Sequence, residues 1–302
     1  MRGDHARIGD CMTRGWQKIG PVVTVVIAIF AFWYFMAVVL NSTWAYDKAK
    51  RADVELGFSE MVADTWSQTK PKLPAPHQVV AEIWNTTAMK KITSKRSLIF
   101  HGWITLSSTL LGFGLGTVFG ILLAVGIVHN KAMNLSVMPW VIASQTIPIL
   151  AIAPMIIVVL NAVGISGLLP KAVISMYLSF FPVVVGMVKG LRAPDAMQMD
   201  QMRTWNGSKW TTFWALRWPS SVPYLFPSLK IGVAAALVGA IVAELPTGAV
   251  RGLGARLLAG SYYGQTIQIW SALITAAILA ASLVMVVGLV ERFTLKQMGM
   301  SR

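Results

Sequence analysis

Cysteine is almost absent, with Cys11 alone in 302 residues, so no disulfide framework holds this chain together. Acidic residues are scarce as well: 12 Asp and Glu stand against 26 Lys and Arg. Charged residues of either sign make up 13% of the sequence, where a soluble domain carries about a quarter. That shortage excludes an ordinary water-soluble globule. Histidine is limited to His5, His77, His101 and His129, at no metal-ligand spacing. The patterns HExxH, GxSxG and CxxC are missing, which removes the usual metalloprotease, serine-hydrolase and redox-pair signatures. Also missing is GxxxxGK followed by Ser or Thr, so the chain has no phosphate-cradling loop of its own. Asp195 and Asp200 lie five residues apart in a polar loop, and acid–base work by them would need a buried cleft that the loop does not offer. Internal repeats and low-complexity tracts are absent too.

What the chain does have is apolar length. Hydrophobic residues reach 55% and the mean hydropathy is +0.62. Six apolar runs, Pro21–Leu40, Trp103–Val128, Val137–Leu160, Lys171–Val188, Pro223–Ala243 and Ile267–Val290, are long enough or nearly so to cross about 30 Å of hydrocarbon. The expected fold is all-α, a polytopic membrane protein with six transmembrane helices. The net charge of +14 lies between these runs, where it orients helices and meets anionic headgroups; it is not read as a nucleic-acid footprint. Arg2, Arg7, Arg14 and Lys18 precede the first run, which is too long for a signal peptide and lacks a small-residue cleavage site, so it reads as a retained anchor.

The organisation that follows is a cytoplasmic tail over 1–20, a first span over 21–41, an extracytoplasmic segment over 42–102, a five-helix core over 103–295 and a cytoplasmic tail over 296–302. With the N-terminus inside, and the long Ser42–Gly102 segment set aside because long loops cross largely regardless of charge, fourteen basic residues fall inside and three outside. Both termini are therefore expected in the cytoplasm. Within Ser42–Gly102, Tyr46–Trp66 has the spacing of a surface helix, the prolines of "KPKLPAPHQ" break the chain, and His77–Trp84 restarts a short amphipathic helix.

Several residues invite a role. Gly112, Gly116 and Gly120 recur every four residues, a smooth stripe against which another helix can pack closely. Pro148 and Pro154 interrupt an apolar run, so Ser144, Gln145 and Thr146 beside the first kink are candidates for a polar passage, with a simple packing kink as the alternative. Glu244 ends the fifth run before Leu-Pro-Thr-Gly, which places it near the outer interface, either as a gating or structural group or as a carboxylate resting at headgroup level.

The richest stretch is "DQMRTWNGSKWTTFWALRWP", Asp200–Pro219, in the loop 191–221 between two spans. Asn206-Gly207 is expected to turn the chain, both residues tolerating the left-handed conformation, with Gly207→Val the disabling change. A second helix would then carry Trp210, Phe213, Trp214 and Trp218 on one side until Pro219 stops or redirects it.

This stretch resembles the loop that binding-protein-dependent ABC importer permeases carry: Glu-Ala-Ala, three residues, Gly, nine residues, Ile-x-Leu-Pro. Asp200 stands at the Glu position, Asn206 at the Gly, Leu216 at the Ile and Pro219 at the last Pro, while Gln201 and Met202 replace the alanines and Trp218 the Leu. "LPAPHQVVAEIW", "TLSSTLLGFGLGTVFGILLAV", "IPILAIAPMIIVV" and "GAIVAEL" followed by "GLGARL" are similar to the nitrate, sulfonate, taurine and pyrimidine-precursor branch, so the resemblance covers roughly residues 73–295. It implies a coupling element, Asp200, Arg203, Asn206, Gly207, Trp210, Trp214 and Pro219, seated on a cytoplasmic ATPase that holds the ATP and Mg. This chain itself is then expected to need no cofactor. It also implies an extracytoplasmic substrate-binding protein, a second permease subunit, surrounding lipid and an inner-membrane location. An intramembrane enzyme and a non-transporting scaffold are the alternatives. No arginine lies in the apolar spans, and Lys230 is placed to snorkel toward the cytoplasm. Both points tilt the expected solute toward a neutral or zwitterionic small molecule, such as a pyrimidine-like heterocycle, over nitrate, with the sulfonate and taurine class left open.

Overall fold

A computed structural model describes residues 4–53, 55, 57–245 and 251–300. The side chains of residues 4–19, Cys11 among them, and Pro246, Thr247 and Gly248 after Glu244 lie outside the described residues. Twelve helices account for the described fold: α1 (Asp4–Ala52), α2 (Phe58–Ser67), α3 (Pro76–Thr87), α4 (Leu98–His129), α5 (Lys131–Ala143), α6 (Ile149–Ala162), α7 (Leu168–Leu191), α8 (Ala196–Thr204), α9 (Lys209–Thr212), α10 (Trp218–Glu244), α11 (Leu253–Tyr262) and α12 (Thr266–Gln297). The chain divides into two compact units, Met1–Asn85 with Gly260–Ser271, and Thr86–Ala259 with Ala272–Arg302.

The second unit is built on three helices, and their directions fix the number of crossings. Gly112 faces Ala172 and Ser175, Gly116 faces Met176 and Ser179, and Gly120 faces Phe180 and Val183. Numbers rise together along both chains, so α4 and α7 run parallel. Gly190 faces Ser221, Gly186 faces Ser228 and Gly239 faces Ser175, so α10 runs antiparallel to α7. Two parallel helices must begin on the same side of a bilayer. The chain between them has to cross once, and α5 and α6, bent by 103° at their junction, form that single broken span. The spans among the described residues are therefore α1, α4, α5–α6, α7, α10 with its N-terminal extension, and α12, which makes six with the bent pair counted as one.

Close approach depends on small side chains. A β-carbon on Gly112 would lie 2.3 Å from Ser175 Cβ and 2.6 Å from Ala172 O, and one on Gly239 would lie 2.8 Å from Ser175 Cα. Ser175 is thus pinched between α4 and α10. Its buried hydroxyl finds no partner among the described residues, so its volume is the constraint. Farther along, Ala124, Ile127, Val183, Val184, Met187 and Leu191 close a continuous core with Val141 of α5. Gly112→Ala is accordingly expected to lower stability by about 1–3 kcal/mol, the usual penalty of overpacking. Gly114→Ala, whose new methyl meets nothing within 4 Å, is expected to be silent; thermal unfolding of the purified protein in detergent compares the two.

In the first unit, the end of α1 carries a buried stripe, Ala37, Asn41, Ala45 and Ala49, spaced by four and therefore on one face. Asn41 is its polar centre. Its Nδ2 donates to Leu73 O at 2.8 Å, and its Oδ1 accepts from the backbone N–H of Lys72 at 2.8 Å and of Leu73 at 3.2 Å. One amide side chain thereby clamps the proline-rich turn onto the helix. Trp33 Nε1 adds a bond to Pro74 O at 3.0 Å, and its ring packs 4.9 Å from that of Trp270. The expected surface helix over Tyr46–Trp66 is corrected: α1 runs on to Ala52, Asp53 takes φ 52°, and only Phe58–Ser67 forms a separate helix. By contrast, Val22, Ile29 and Phe32 of α1 and Ile278, Met285 and Val286 of α12 are exposed, a bare surface that hydrocarbon satisfies at no cost.

Candidate functional site

The loop between α7 and α10 folds as a small, separately capped element. Asp195 opens α8: its carboxylate accepts from Gln198 N–H at 2.7 Å, and the Gln198 side chain accepts from Asp195 N–H at 3.2 Å. This reciprocal capping box satisfies two of the donors a helix start leaves orphaned. The far end of α8 is closed by Gly207 N–H to Met202 O at 2.9 Å and Asn206 N–H to Arg203 O at 2.9 Å, the paired bonds of a Schellman motif. Ser208 then opens α9, accepting from Thr211 N–H at 3.1 Å.

Only one residue of the turn is left-handed. Asn206 has φ 51°, and Gly207 does not take positive φ. The expectation that Gly207→Val is disabling because of a positive φ at Gly207 is corrected: the left-handed residue is Asn206. Asparagine serves here because its short side chain tolerates the left-handed region, whereas Gly207 is needed for room, since a β-carbon on it would lie 3.0 Å from Met202 O.

Pro219 neither stops nor redirects the chain. It sits in the first turn of α10, preceded by a π-helical turn over Phe213–Arg217 in which Trp218 N–H bonds Phe213 O. Proline offers no N–H to the ladder, and the widened turn absorbs the break. From Lys209 to Glu244 the chain is effectively one long helix, so the corner is rigidly joined to a span. Phe213 is the anchor. It is buried, its ring lies 5.4 Å from His129 and 5.1 Å from Trp214, and it belongs to the core of the bundle. Trp210 and Trp214 pack edge to face at 5.6 Å while remaining 71% and 48% exposed. The Asp200–Arg203 ion pair at 2.8 Å is exposed on both sides and adds little stability.

At the opposite end of the bundle Glu244 is fully buried, not resting at an interface. Thr105 Oγ1 donates to its carboxylate at 2.9 Å, Lys171 Nζ lies 3.3 Å from Oε1, and Gly254 N–H donates to Oε2 at 2.9 Å. Thr105 Oγ1 also accepts from Leu253 N–H at 2.9 Å. Beside it, His101 Nδ1 accepts from Gly252 N–H at 2.9 Å, so Nε2 carries the proton and donates to Lys95 O at 2.9 Å. Gly252 has φ 123°, and a β-carbon there would collide with the carboxylate at 2.2 Å. Four segments, α4, α7, α10 and the start of α11, are tied by one carboxylate.

Ser144, Gln145, Thr146 and Pro148 sit at the break between α5 and α6 and are not brought to Glu244. Pro148 denies a partner to the carbonyl four residues earlier, that of Ser144, and Tyr177 Oη donates to that carbonyl. Gln145, Thr146 and Pro148 are exposed on the surface of the chain. Pro154 lies inside α6 without interrupting it. Lys230 does not snorkel free but pairs with Glu291 of α12. Asn41, Tyr177 and Glu291, whose partners lie on other segments, had no signal in the sequence, and Asp195 was weighed only as an acid–base group; its role as a cap, three residues before Gln198 at a helix start, carried a local signal.

Proteins named as transport permeases match much of this chain. The chain is 34% identical over 183 residues to the formylaminopyrimidine transport permease protein of Halalkalibacterium halodurans, covering 60% of this chain and 68% of that one. It is 29% identical over 224 residues to the riboflavin transport system permease protein of Chloroflexus aurantiacus, with 74% and 80% covered. It is 27% identical over 227 residues to the nitrate import permease protein of Synechocystis sp., with 73% and 77% covered. The matched region of the family described as binding-protein-dependent transport system inner membrane component is 116–297, which holds the second half of α4 and everything from α5 to α12 with the capped corner, and the chain belongs to that family.

Proposed function

We propose that α8 and the aromatic corner behind it seat a cytoplasmic ATP-hydrolysing subunit, and that two such permease chains alternate between outward- and inward-open states as the ATPases close. The observation that carries this is the state of α8. It is capped at both ends by its own loop, yet none of its nine residues is buried, and Met197 at 80% and Trp205 at 68% stand exposed. A helix this short gains little from propensity alone, so a surface that shapes it so carefully is built to be covered. Phe213 transmits the contact, because the corner is continuous with α10 and locked to the core beside α4.

The coupling loop must then face the cytoplasm. With six crossings this puts both termini inside and residues 42–102 outside, facing a solute-binding protein. In a Cys11→Ser background, Ser67→Cys is expected to react with an impermeant thiol reagent on sealed cells, and Met197→Cys only after permeabilisation. Labelling of Met197→Cys in sealed cells would invert the topology. The solute is proposed to be small, in the range named for the relatives, from formylaminopyrimidine and riboflavin to aliphatic sulfonates and nitrate. The deciding experiment is reconstitution. Vesicles holding this chain, its ATPase and its binding protein should take up solute with ATP, whereas the chain alone should hydrolyse none. Turnover of ATP by the purified chain, or no uptake by the complete assembly, would defeat the proposal.

A further inference from the structure

Although the apolar spans hold no arginine, the structure gathers cations from three distant segments around one cavity. Lys95 comes from the turn before α4, Lys171 from the first turn of α7 and Arg251 from the segment before α11. The cavity encloses about 760 Å³, within the range of small-molecule sites. Ser107, Asn161 and Ser166 supply neutral hydrogen-bonding groups, and Ile104, Ile157 and Leu168 supply apolar wall. Lys171 lines it and is bonded to the buried Glu244. Among the described residues two of the three ammonium N–H groups are taken, by Glu244 Oε1 and by Arg251 O, each at 3.3 Å. Lys95 is exposed, and the Arg251 guanidinium is held 5.9 Å from the centre of the Phe100 ring. Glu244 offsets one of the three charges, so the cavity keeps an excess of positive charge beside an apolar wall.

We infer that this cavity is a binding site for a small organic anion, a carboxylate or sulfonate whose charged end meets Lys95, Lys171 and Arg251 and whose body rests on Ile104 and Ile157. The inference rests on the importer reading, in which this end of the bundle faces outward and receives solute. It reverses the tilt toward a neutral or zwitterionic solute, which followed from scanning the spans for arginine and missed cations at or just beyond their ends.

The test uses the full-length chain in nanodiscs without its ATPase, so that its failure is separable from failure of uptake. With Cys11→Ser and Ser166→Cys, the reaction rates of a sulfonatoethyl and a trimethylammonioethyl methanethiosulfonate are compared, each normalised to a free thiol. The anionic reagent is expected to be favoured by about tenfold, the lower end of what a single-sign cleft achieves. Lys95→Gln with Arg251→Gln should bring the ratio near one. Lys171 is left in place so that Glu244 stays paired. Benzenesulfonate should slow the reaction and benzyltrimethylammonium should not. A ratio near or below one, or one unmoved by the double substitution, would overturn the site. So would a high ratio without protection by benzenesulfonate, which would assign the field to docking of an acidic protein surface.

Discussion

Glu244→Ala is expected to cost the protein about 3–5 kcal/mol of stability, because it removes one half of a buried ion pair. The carboxylate is fully buried and meets Thr105, Lys171 and Gly254 at once. Deleting it strands the Lys171 ammonium, itself only slightly exposed, next to an empty space. It also leaves the Gly254 N–H without its acceptor, and each such orphan costs about 1–3 kcal/mol. The consequence spreads because the same carboxylate fixes Thr105, which in turn accepts from Leu253. The start of α11 therefore loosens from α4 in the same step. Glu244→Gln is expected to lose less, since its amide oxygen can still accept from Lys171, although its NH2 group cannot accept the bond that Gly254 N–H gives the carboxylate. Thermal unfolding in detergent should rank wild type above Gln and Gln above Ala. Equal midpoints for wild type and Ala would show that the pair carries no net stability and that packing alone holds the four segments together.

How much of this was legible beforehand depends on whether the signal was local. The spans were, because twenty apolar residues in a row have few other uses, and six crossings follow from the runs as they do from the packing. The four-residue spacing of Gly112, Gly116 and Gly120 is visible in one dimension; that its partner is α7, running parallel, is not, because helix direction depends on how the intervening chain returns. The break at Pro148 was legible from proline chemistry, but Tyr177, which bonds the freed carbonyl from 33 residues away, left no trace in the sequence. Glu244 stood out as a carboxylate at the end of an apolar run. Its burial did not, since Thr105 lies 139 residues earlier and Leu-Pro-Thr-Gly reads most simply as an interfacial stretch. The cationic cavity escaped for the same reason: each of its cations sits singly at a segment end and reads as an ordinary flanking charge.

The corner between α8 and α9 should respond to substitution at Asn206 more sharply than at Gly207. Asn206 holds φ 51°, a region where a β-branched residue costs about 1–2 kcal/mol or more. Asn206→Val is therefore expected to open the Schellman turn, releasing the bonds from Asn206 and Gly207 back to Arg203 and Met202. The strain has nowhere to go but α8. The spans are locked by Phe213 and the α4–α7–α10 core, whereas no residue of α8 is fully buried within the chain. The protein should insert, lose about 1–2 kcal/mol of stability with the strain confined to the corner, and yet lose co-purification with the ATPase and ATP-driven uptake. Asn206→Gly, free to take the same φ, should keep both. Gly207→Val tests the other constraint, because its side chain meets Met202 O and the Met202 methyl at 3.0 and 3.2 Å; the methyl can swing aside, so a partial defect is expected. If Asn206→Val couples and transports like wild type, the geometry of this turn is not what the ATPase reads, and the exposed tryptophans would then be better explained as a headgroup-level aromatic belt.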